Sequence, residues 1–426
     1  MTANPSKSSE ERHVDTSALW TAETKADPFP VYSMMRKEAP VCRVVTPEGF
    51  EIWMITRYED VRQALTDPRL ANATEHAPEW LRSLGLVGEG DASLGRHLLT
   101  VDPPEHTRLR RLVSKAFTRG RMEALRPRVQ RITDELLDAM AAGEEADLIE
   151  SFAFPLPITV ICELLGVPGE DQDDFRGWSR TILTAAFTPE GMAERAGAGR
   201  SMARYVAGLI ARRRPEVDPA VPPGEQPDLI SGLILASEDR DTLSESELKA
   251  MIRLLLIAGH ETTVNLIGNG MVSLFRHPDQ LRLLRERPEL LPGAIEELLR
   301  YDGPVDRGMF RYTTEDVEIG GQRIPKGSAV VGLLGSADRD PARYADADVL
   351  DITREDTGHL AFGHGAHFCL GAPLARVEGQ VAIGSLLARF PDISLACDPS
   401  ELRWHSGGFG VVRGVEALPV RLRAGT

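Results

Sequence analysis

The longest regular pattern of apolar and polar positions lies between Ser244 and Pro278, where apolar residues recur at helical spacing. Ser244 and Glu247 fit a capping box, which predicts the start of a helix. Pro278 predicts its end, because proline cannot continue a helix. More than thirty residues lie between these positions, so we expect one continuous helix about 50 Å long, enough to cross a whole domain.

Shorter patterns predict the remaining elements. They are a strand at residues 52–55, a helix from near Tyr58, helical composition from Glu105 with an interruption at Pro127, a helix over residues 291–303, and two strands joined by a Gly320-Gly321 turn within residues 317–327. We therefore expect a mainly α fold with a minor antiparallel β-sheet. Residues 1–18 are polar and predict a flexible tail.

Charge and composition exclude some classes of function. The chain has 426 residues and a net charge of −15, which argues against a nucleic-acid partner. No signal peptide is visible, and the apolar stretches are shorter than the roughly 20 residues that span a bilayer. We expect a soluble, cytoplasmic protein without a membrane partner. One basic segment, residues 106–131, stands out with nine Lys or Arg against one acid.

The cysteines are scattered, without a CxxC pair, and read as reduced thiols. Cys369 differs from the others because it follows a loop with Gly363 and Gly365 and precedes a helix with Gly371 and Pro373 in its first turn. Free N–H groups and the helix dipole favour a thiolate there. A buried apolar cysteine, a metal site with His364 and His367, and a Cys–His nucleophile are the alternatives.

The residues Phe362-Gly363-x-Gly365-x-His367-x-Cys369-x-Gly371 resemble the haem-binding signature of the cytochrome P450 monooxygenases. The resemblance implies that Cys369 is the axial ligand of the haem iron. It also implies that Phe362, His367 and Gly371 contribute to the haem site. Further matches follow in the family's order, so that the resemblance covers nearly the whole chain.

Ala258-Gly259-His260-Glu261-Thr262, in the middle of the predicted long helix, resembles the family's acid–alcohol pair. These residues break local rules, since glycine inside a helix costs about 1 kcal/mol and a buried glutamate needs a partner. The resemblance implies that Glu261 and Thr262 deliver protons during oxygen activation and that Ala258 and Gly259 leave room for the haem. A packing glycine beside a solvated glutamate is the alternative.

Two more patterns resemble the family. Glu297 and Arg300 match its ExxR element, which implies a structural salt bridge, although such i, i+3 pairs are also common on helix surfaces. His106 and Arg110 share one helical face, and the resemblance implies that they hold the haem propionates together with Arg311 and His367. A basic exposed helix is the alternative.

Family membership implies one domain over residues 19–426, with haem between the long helix and the cysteine loop. It implies a monooxygenase that uses haem b and O2 to hydroxylate or epoxidise a hydrophobic small molecule, such as a macrolide, another polyketide or a steroid-like secondary metabolite of the kind modified in antibiotic biosynthesis. Electrons would come from NAD(P)H through a ferredoxin reductase and an acidic ferredoxin. We expect that ferredoxin on a basic proximal face where outward-facing side chains form a patch, namely Arg108, Arg111, Lys115 and Arg119.

The family also implies a set of residues around the substrate. They are Leu183, Phe187, Leu256, Val305, Arg307, Met309 and Phe409. Arg307 is unusual at such a position, and it either contacts a polar part of the substrate or is neutralised by Asp306. A haem-thiolate peroxygenase, a haem-binding sensor and a zinc-stabilised interaction module are the rival functions.

Overall fold

The structure is a computed structural model that describes residues 17–85, 87, 95–114, 117–184, 188–238, 243–406 and 411–423. Most of the predicted tail, residues 1–16, lies outside the described residues, so the division into a tail and one domain stays a prediction. The described part of the tail, from Ser17, belongs to a short 3-10 helix, Ser17–Trp20.

Helices form most of the structure. They are α1 (Ala22–Ala26), α2 (Phe29–Glu38), α3 (Tyr58–Thr66), α4 (Glu79–Ser83), α5 (Glu105–Ser114), α6 (Arg119–Ala124), α7 (Arg126–Met140), α8 (Pro155–Leu165), α9 (Gln172–Thr184), α10 (Pro189–Arg213), α11 (Leu229–Glu238), α12 (Glu245–Ala258), α13 (Glu261–Arg276), α14 (Pro278–Glu286), α15 (Leu291–Asp302), α16 (Leu334–Ala337) and α17 (Ala372–Arg389). The predicted interruption at Pro127 is the start of α7, where proline is tolerated in the first turn.

Short strands form the β structure. They are β1 (Val41–Val45), β2 (Glu51–Ile55), β3 (Leu70–Ala71), β4 (Glu145–Asp147), β5 (Arg311–Thr313), β6 (Val317–Ile319), β7 (Gln322–Ile324), β8 (Ala329–Gly332), β9 (Ser394–Leu395), β10 (Trp404–Ser406), β11 (Arg413–Val415) and β12 (Pro419–Arg421). The largest sheet has the order β1-β2-β8-β5-β3. It is mixed rather than wholly antiparallel, because β2 and β8 run parallel with Trp53 opposite Val330.

The predicted long helix is two helices. The capping box of Ser244 and Glu247 begins α12 as predicted, but α12 ends at Ala258 and α13 begins at Glu261. At the break, two helix carbonyls accept hydrogen bonds from side chains instead of from backbone N–H groups. His260 Nδ1 donates to the Leu256 carbonyl (2.7 Å), and Thr262 Oγ1 donates to the Ala258 carbonyl (3.1 Å). The prediction of one uninterrupted helix was therefore wrong, for a reason that the helical period does not encode.

The helix pair α12–α13 forms the centre of the core. α13 is buried from Thr263 to Leu274 and packs against α15 and α17. By length and composition the segment Glu245–Arg276 could cross a membrane, but 72% of its most apolar window is buried inside the fold. That degree of burial is typical of a core helix of a globular protein.

Helix α1, near the N-terminus, is hydrogen-bonded to strand β11, near the C-terminus. Arg413 of β11 pairs with Asp302 and donates hydrogen bonds to the backbone carbonyls of Lys25 and Ala26. Arg413 is only 2% exposed. The N-terminal helix α1 is thus an integral part of the packing around β11.

Candidate active site

The cysteine loop has the backbone that the glycine pattern predicts. Gly363 and Gly365 adopt left-handed φ values of 72° and 73°, which side chains other than glycine rarely adopt. The Cys369 N–H donates to the Phe362 carbonyl (2.9 Å), closing the loop. Gly371 is the N-cap of α17, so the sulfur lies at the start of that helix.

Two effects oppose each other at the Cys369 sulfur. Burial raises the pKa of the Cys369 thiol, whereas hydrogen bonds from the N–H groups of Gly371 and Ala372 and the charges of Arg110 and Arg376 act to lower it. A metal ion bound to this sulfur would displace the thiol proton completely. The N–H groups and guanidinium groups are therefore placed to stabilise a thiolate at this position.

A cluster of cationic and imidazole groups lies beside the sulfur. The rings of His106 and His367 are 4.2 Å apart, and His106 Nε2 and His367 Nδ1 are buried without a hydrogen-bond partner among the described residues. Burial, followed by the charges of His106, Arg311 and Arg110, lowers the pKa of His367 to about 3. Burial lowers the pKa of Arg311 to about 10.

This cluster fits the haem that the sequence implies. Buried polar atoms without a hydrogen-bond partner are costly unless a ligand supplies one. The two carboxylates of a haem provide both negative charge and acceptor oxygens. The residues expected for the propionates, His106, Arg110, Arg311 and His367, are thus brought together.

The central helix provides an open surface at its break. Ala258, the last residue of α12, is exposed although residues 254–257 before it are buried, and Thr262, one turn on, is half-buried on the same face. Gly259 has another role than the one predicted, since a Cβ there would lie 2.6 Å from Ile161 Cγ1 of α8. The glycine therefore allows close packing of α8 rather than leaving space on the Ala258 face.

The Glu261 carboxylate is 14% exposed and lies 3.5 Å from His260 Nε2. Burial alone would raise the pKa of Glu261, but a hydrogen bond and charge from His260, and charges from His405 and Arg180, lower it below its usual value. The alternative of a solvated glutamate is therefore contradicted. Glu261 is a mostly buried carboxylate that is held in its ionised form.

Glu297 and Arg300 form a buried pair rather than a surface one, with exposures of 2% and 1%. Arg300 donates two hydrogen bonds to Glu297 and three to the carbonyls of Asp338, Ala347 and Val349. Arg354 adds a further contact to Glu297. All five donors of the Arg300 guanidinium are used.

The residues predicted around the substrate are found in different surroundings. Leu183, at the end of α9, and Val305 are half-buried, and Met309 is 44% exposed. Leu256 is 1% exposed, and two residues from Ala258 it points to the other side of α12. Phe187 and Phe409 lie outside the described residues.

Arg307 lies in a buried cluster. Its Nε is 3.7 Å from Asp306 Oδ2, Tyr32 donates a hydrogen bond to the same Asp306 oxygen, and the Arg307 guanidinium stands over the Trp20 ring. This arrangement favours neutralisation by Asp306 over contact with a substrate.

The basic segment is more paired than its composition indicates. Arg108 does not face outward as predicted, because it forms an ion pair with Glu247 of α12 (2.5 Å). Arg128 pairs with Glu163. Arg111 and Arg119 are exposed, and Lys115 lies outside the described residues.

Two buried acids, Glu378 and Asp338, were not predicted from the sequence. Glu378 of α17 is 1% exposed beside Thr263, and burial holds its pKa well above the usual range. Burial also raises the pKa of Asp338, under the Arg300 network, to about 7. A lone acid in the apolar stretch after Val377 was a visible signal for Glu378. In the part of the chain that the structure describes, no three His, Cys, Asp or Glu side chains are placed to hold a metal ion, which contradicts the zinc alternative.

Comparison with known proteins gives one consistent result. The family model described as Cytochrome P450 matches residues 16–391. The chain is 52% identical to Cytochrome P450 107B1 of Saccharopolyspora erythraea over 92% of this chain and 94% of that protein. It is 41% identical to 6-deoxyerythronolide B hydroxylase of the same organism, over 99% and 100%. The crystal structure of myxobacterial cytochrome P450 CYP267B1 in complex with myristic acid superposes with a TM-score of 0.89 at 40% identity, covering 96% of this chain and 99% of that one.

Proposed function

Because the chain belongs to the cytochrome P450 family, and is therefore a haem-dependent monooxygenase, we propose that it hydroxylates or epoxidises a hydrophobic secondary metabolite at a haem held by Cys369. The observation that supports this is that the chain has both an open Ala258–Thr262 face and a cysteine loop flanked by buried imidazole nitrogens that have no partner among the described residues. When bound, haem b supplies the activation of O2.

In this proposal, different residues of the chain hold different parts of the cofactor. Cys369 supplies the thiolate ligand, and His106, Arg110, Arg311 and His367 hold the propionates. Phe362 and Gly371 frame the cysteine loop. Ala258, with its small side chain on the open face, leaves space above the site.

Glu261 and Thr262 deliver protons in this proposal. Glu261 is mostly buried, and its 14% exposure gives the carboxylate a route for proton exchange with solvent. The Thr262 hydroxyl donates to the Ala258 carbonyl and can turn from this acceptor towards the open face. A carboxylate that takes up a proton from solvent and a hydroxyl that passes it on are what a proton relay at this site requires.

The substrate class is inferred from a relative and from the composition of the site. The relative named 6-deoxyerythronolide B hydroxylase matches this chain from end to end. We therefore propose a macrolide or another polyketide as substrate, with a steroid-like compound as the second candidate. Since the buried cluster of Asp306, Tyr32 and Trp20 surrounds Arg307, we do not assign Arg307 to substrate recognition.

The charge of the basic segment supports the choice of electron donor. We propose that NAD(P)H supplies electrons through a ferredoxin reductase and an acidic ferredoxin, which docks on the basic segment where Arg111 and Arg119 are exposed. We also propose a cytoplasmic location.

The function is tested with a panel of macrolides, other polyketides and steroids, screened for ligand-induced shifts of the haem spin state. Binders are then incubated with isotopically labelled O2, NAD(P)H, ferredoxin reductase and ferredoxin. We expect product that carries one labelled oxygen atom and little product with hydrogen peroxide alone. Equal or greater yield with peroxide would identify a peroxygenase, and spin-state shifts without product would indicate a sensor.

A further inference from the structure

His260, in the break between α12 and α13, has a fully buried side chain. Its Nδ1 lies 2.7 Å from the Leu256 carbonyl. A carbonyl can only accept, so Nδ1 must carry a proton. The other nitrogen, Nε2, is therefore the one that is left to contact the neighbouring side chains.

Two oxygens face Nε2. One is Ser179 Oγ of α9 at 3.0 Å, and the other is Glu261 Oε1 at 3.5 Å. Ser179 Oγ also lies 2.8 Å from the Phe175 carbonyl, which again can only accept. When the single Ser179 proton is donated to Phe175, the hydroxyl oxygen accepts from Nε2.

The Nε2 atom therefore lies between Ser179 of α9 and the Glu261 carboxylate, 3.0 Å from one oxygen and 3.5 Å from the other. Through this one nitrogen the Glu261 carboxylate is joined to helix α9.

We propose that His260 is the positioning residue of the Glu261–Thr262 pair, holding the Glu261 carboxylate through Nε2 and joining it to helix α9 through Ser179. The proposal rests on the proposed role of Glu261 in proton delivery. It explains why a histidine stands in a helix break where packing alone would accept any apolar ring. It also makes the charge of Glu261 depend on the position of α9, the helix that carries the candidate substrate residue Leu183.

The other charged groups near Glu261 have a smaller effect on its pKa than His260 has. Glu261 is faced by His405 of β10 and by Arg180 of α9 as well as by His260, and the effect of His260 on its pKa is larger than that of either. Arg176 of α9 stands over the Phe154 ring and pairs with Glu150. Phe154 packs edge-on against His260, so it separates that pair from the ring.

The test is an infrared titration of the Glu261 carboxyl stretch in the haem-loaded enzyme, with the band assigned by its loss in Glu261→Gln. In His260→Phe, we expect the midpoint to rise by about one pH unit or more, because the carboxylate loses the hydrogen bond from His260 that lowers its pKa. Ser179→Ala should raise it by less, because the His260 ring remains. The pH profile of kcat should move in the same direction while KM stays unchanged.

His277 supplies a matched control, because its Nδ1 makes the same bond to the Ser273 carbonyl (2.8 Å) and its Nε2 faces the Tyr301 hydroxyl. His277→Phe should leave the Glu261 titration unchanged. A Glu261 midpoint that is the same in wild type, His260→Phe and Ser179→Ala would overturn the proposal; if His260→Phe does not fold, Ser179→Ala alone decides. If Glu261→Gln left turnover and coupling normal, the proton-delivery role would fail, while the titration would still test the His260 contact.

Discussion

The two sides of the site differ in how their polar groups are satisfied. On the cysteine side, Arg300 is fixed by five hydrogen bonds to one carboxylate and three carbonyls. On the central-helix side, side chains take two helix carbonyls from the backbone. The first arrangement uses every donor of a buried guanidinium, whereas in the second an imidazole ring and a hydroxyl take the place of two backbone hydrogen bonds. We therefore expect a rigid cysteine side, with the proposed metal ligand, and an adjustable central-helix side, with the residues proposed to deliver protons.

The largest effect should come from the cysteine side. Arg300→Ala leaves Glu297 buried without its main partner, so we expect a loss of about 3–5 kcal/mol in the free energy of unfolding. Arg82→Ala removes the exposed i, i+3 pair with Glu79 and should cost less than about 1 kcal/mol. Denaturant unfolding of the haem-loaded proteins measures both. Similar losses in the two variants would refute the distinction between the buried and the exposed pair.

Cys369→Ser tests the rigid side at its centre. Without a thiolate, the reduced carbon monoxide form should lose the thiolate-type Soret band completely. Cys397→Ser serves as the control, because Cys397 lies in the loop after β9 and outside the site. The assignment of the ligand fails if the Cys369 variant keeps that band.

The adjustable side is tested by Thr262→Ala. We expect reduced cofactor to be consumed at a near-normal rate while product per electron pair falls several-fold and hydrogen peroxide rises, because proton delivery loses its hydroxyl. Glu261→Gln should slow turnover as a whole. Thr181→Ala removes the same kind of hydroxyl-to-carbonyl bond, to Gly177 in α9 (2.9 Å), and should change neither quantity. Full coupling in the Thr262 variant would show that protons arrive by another route.

Asp338 is the exception on the rigid side. Its buried carboxyl accepts from the Leu360 N–H (2.7 Å), and burial raises its pKa from 3.8 to about 7. A raised folded-state pKa gives stability that is present at low pH and lost as pH rises towards 7. Asp338→Asn keeps the acceptor oxygen without the charge, so it should stabilise the protein by about 1–3 kcal/mol at pH 8 and much less at pH 5. A stability difference that is independent of pH would contradict this.

The smallest effect is expected on the surface of the basic segment. Electrostatic steering predicts that reduction by an acidic ferredoxin slows as ionic strength rises and that Arg111→Glu slows it a few-fold at low salt. Arg323→Glu, at an exposed arginine of β7, should have little effect. A reduction rate that is flat from low to high salt, and equal in wild type and Arg111→Glu, would count against docking there.

Local sequence patterns were enough to predict much of the fold and the cysteine side of the site. The capping box at Ser244, the strand–turn–strand unit at Gly320-Gly321 and the glycine loop before Cys369 were all predicted, because each depends on residues close in sequence. The mainly α fold was confirmed. The mixed character of the sheet was missed, since the pairing of β2 with β8 joins distant parts of the chain.

What could not be predicted depends on contacts between distant elements. Glu297–Arg300 and Glu79–Arg82 have the same spacing, and only tertiary burial distinguishes them. The outward direction expected for Arg108 was wrong because its partner, Glu247, lies on another helix. The requirement for glycine at 259 comes from Ile161 of α8, not from the cofactor site.

The anchoring of Arg413 has a consequence for the design of variants. Its acceptors at the N-terminal end of the fold are the main-chain oxygens of Lys25 and Ala26, which every amino acid possesses. The anchor therefore constrains the length of the chain and not its identity at these positions. The exposed side chain at position 25 can be exchanged freely, whereas deletion of α1, or an insertion that shifts its last turn, deprives a buried guanidinium of two acceptors and loosens the pairing of β10 with β11.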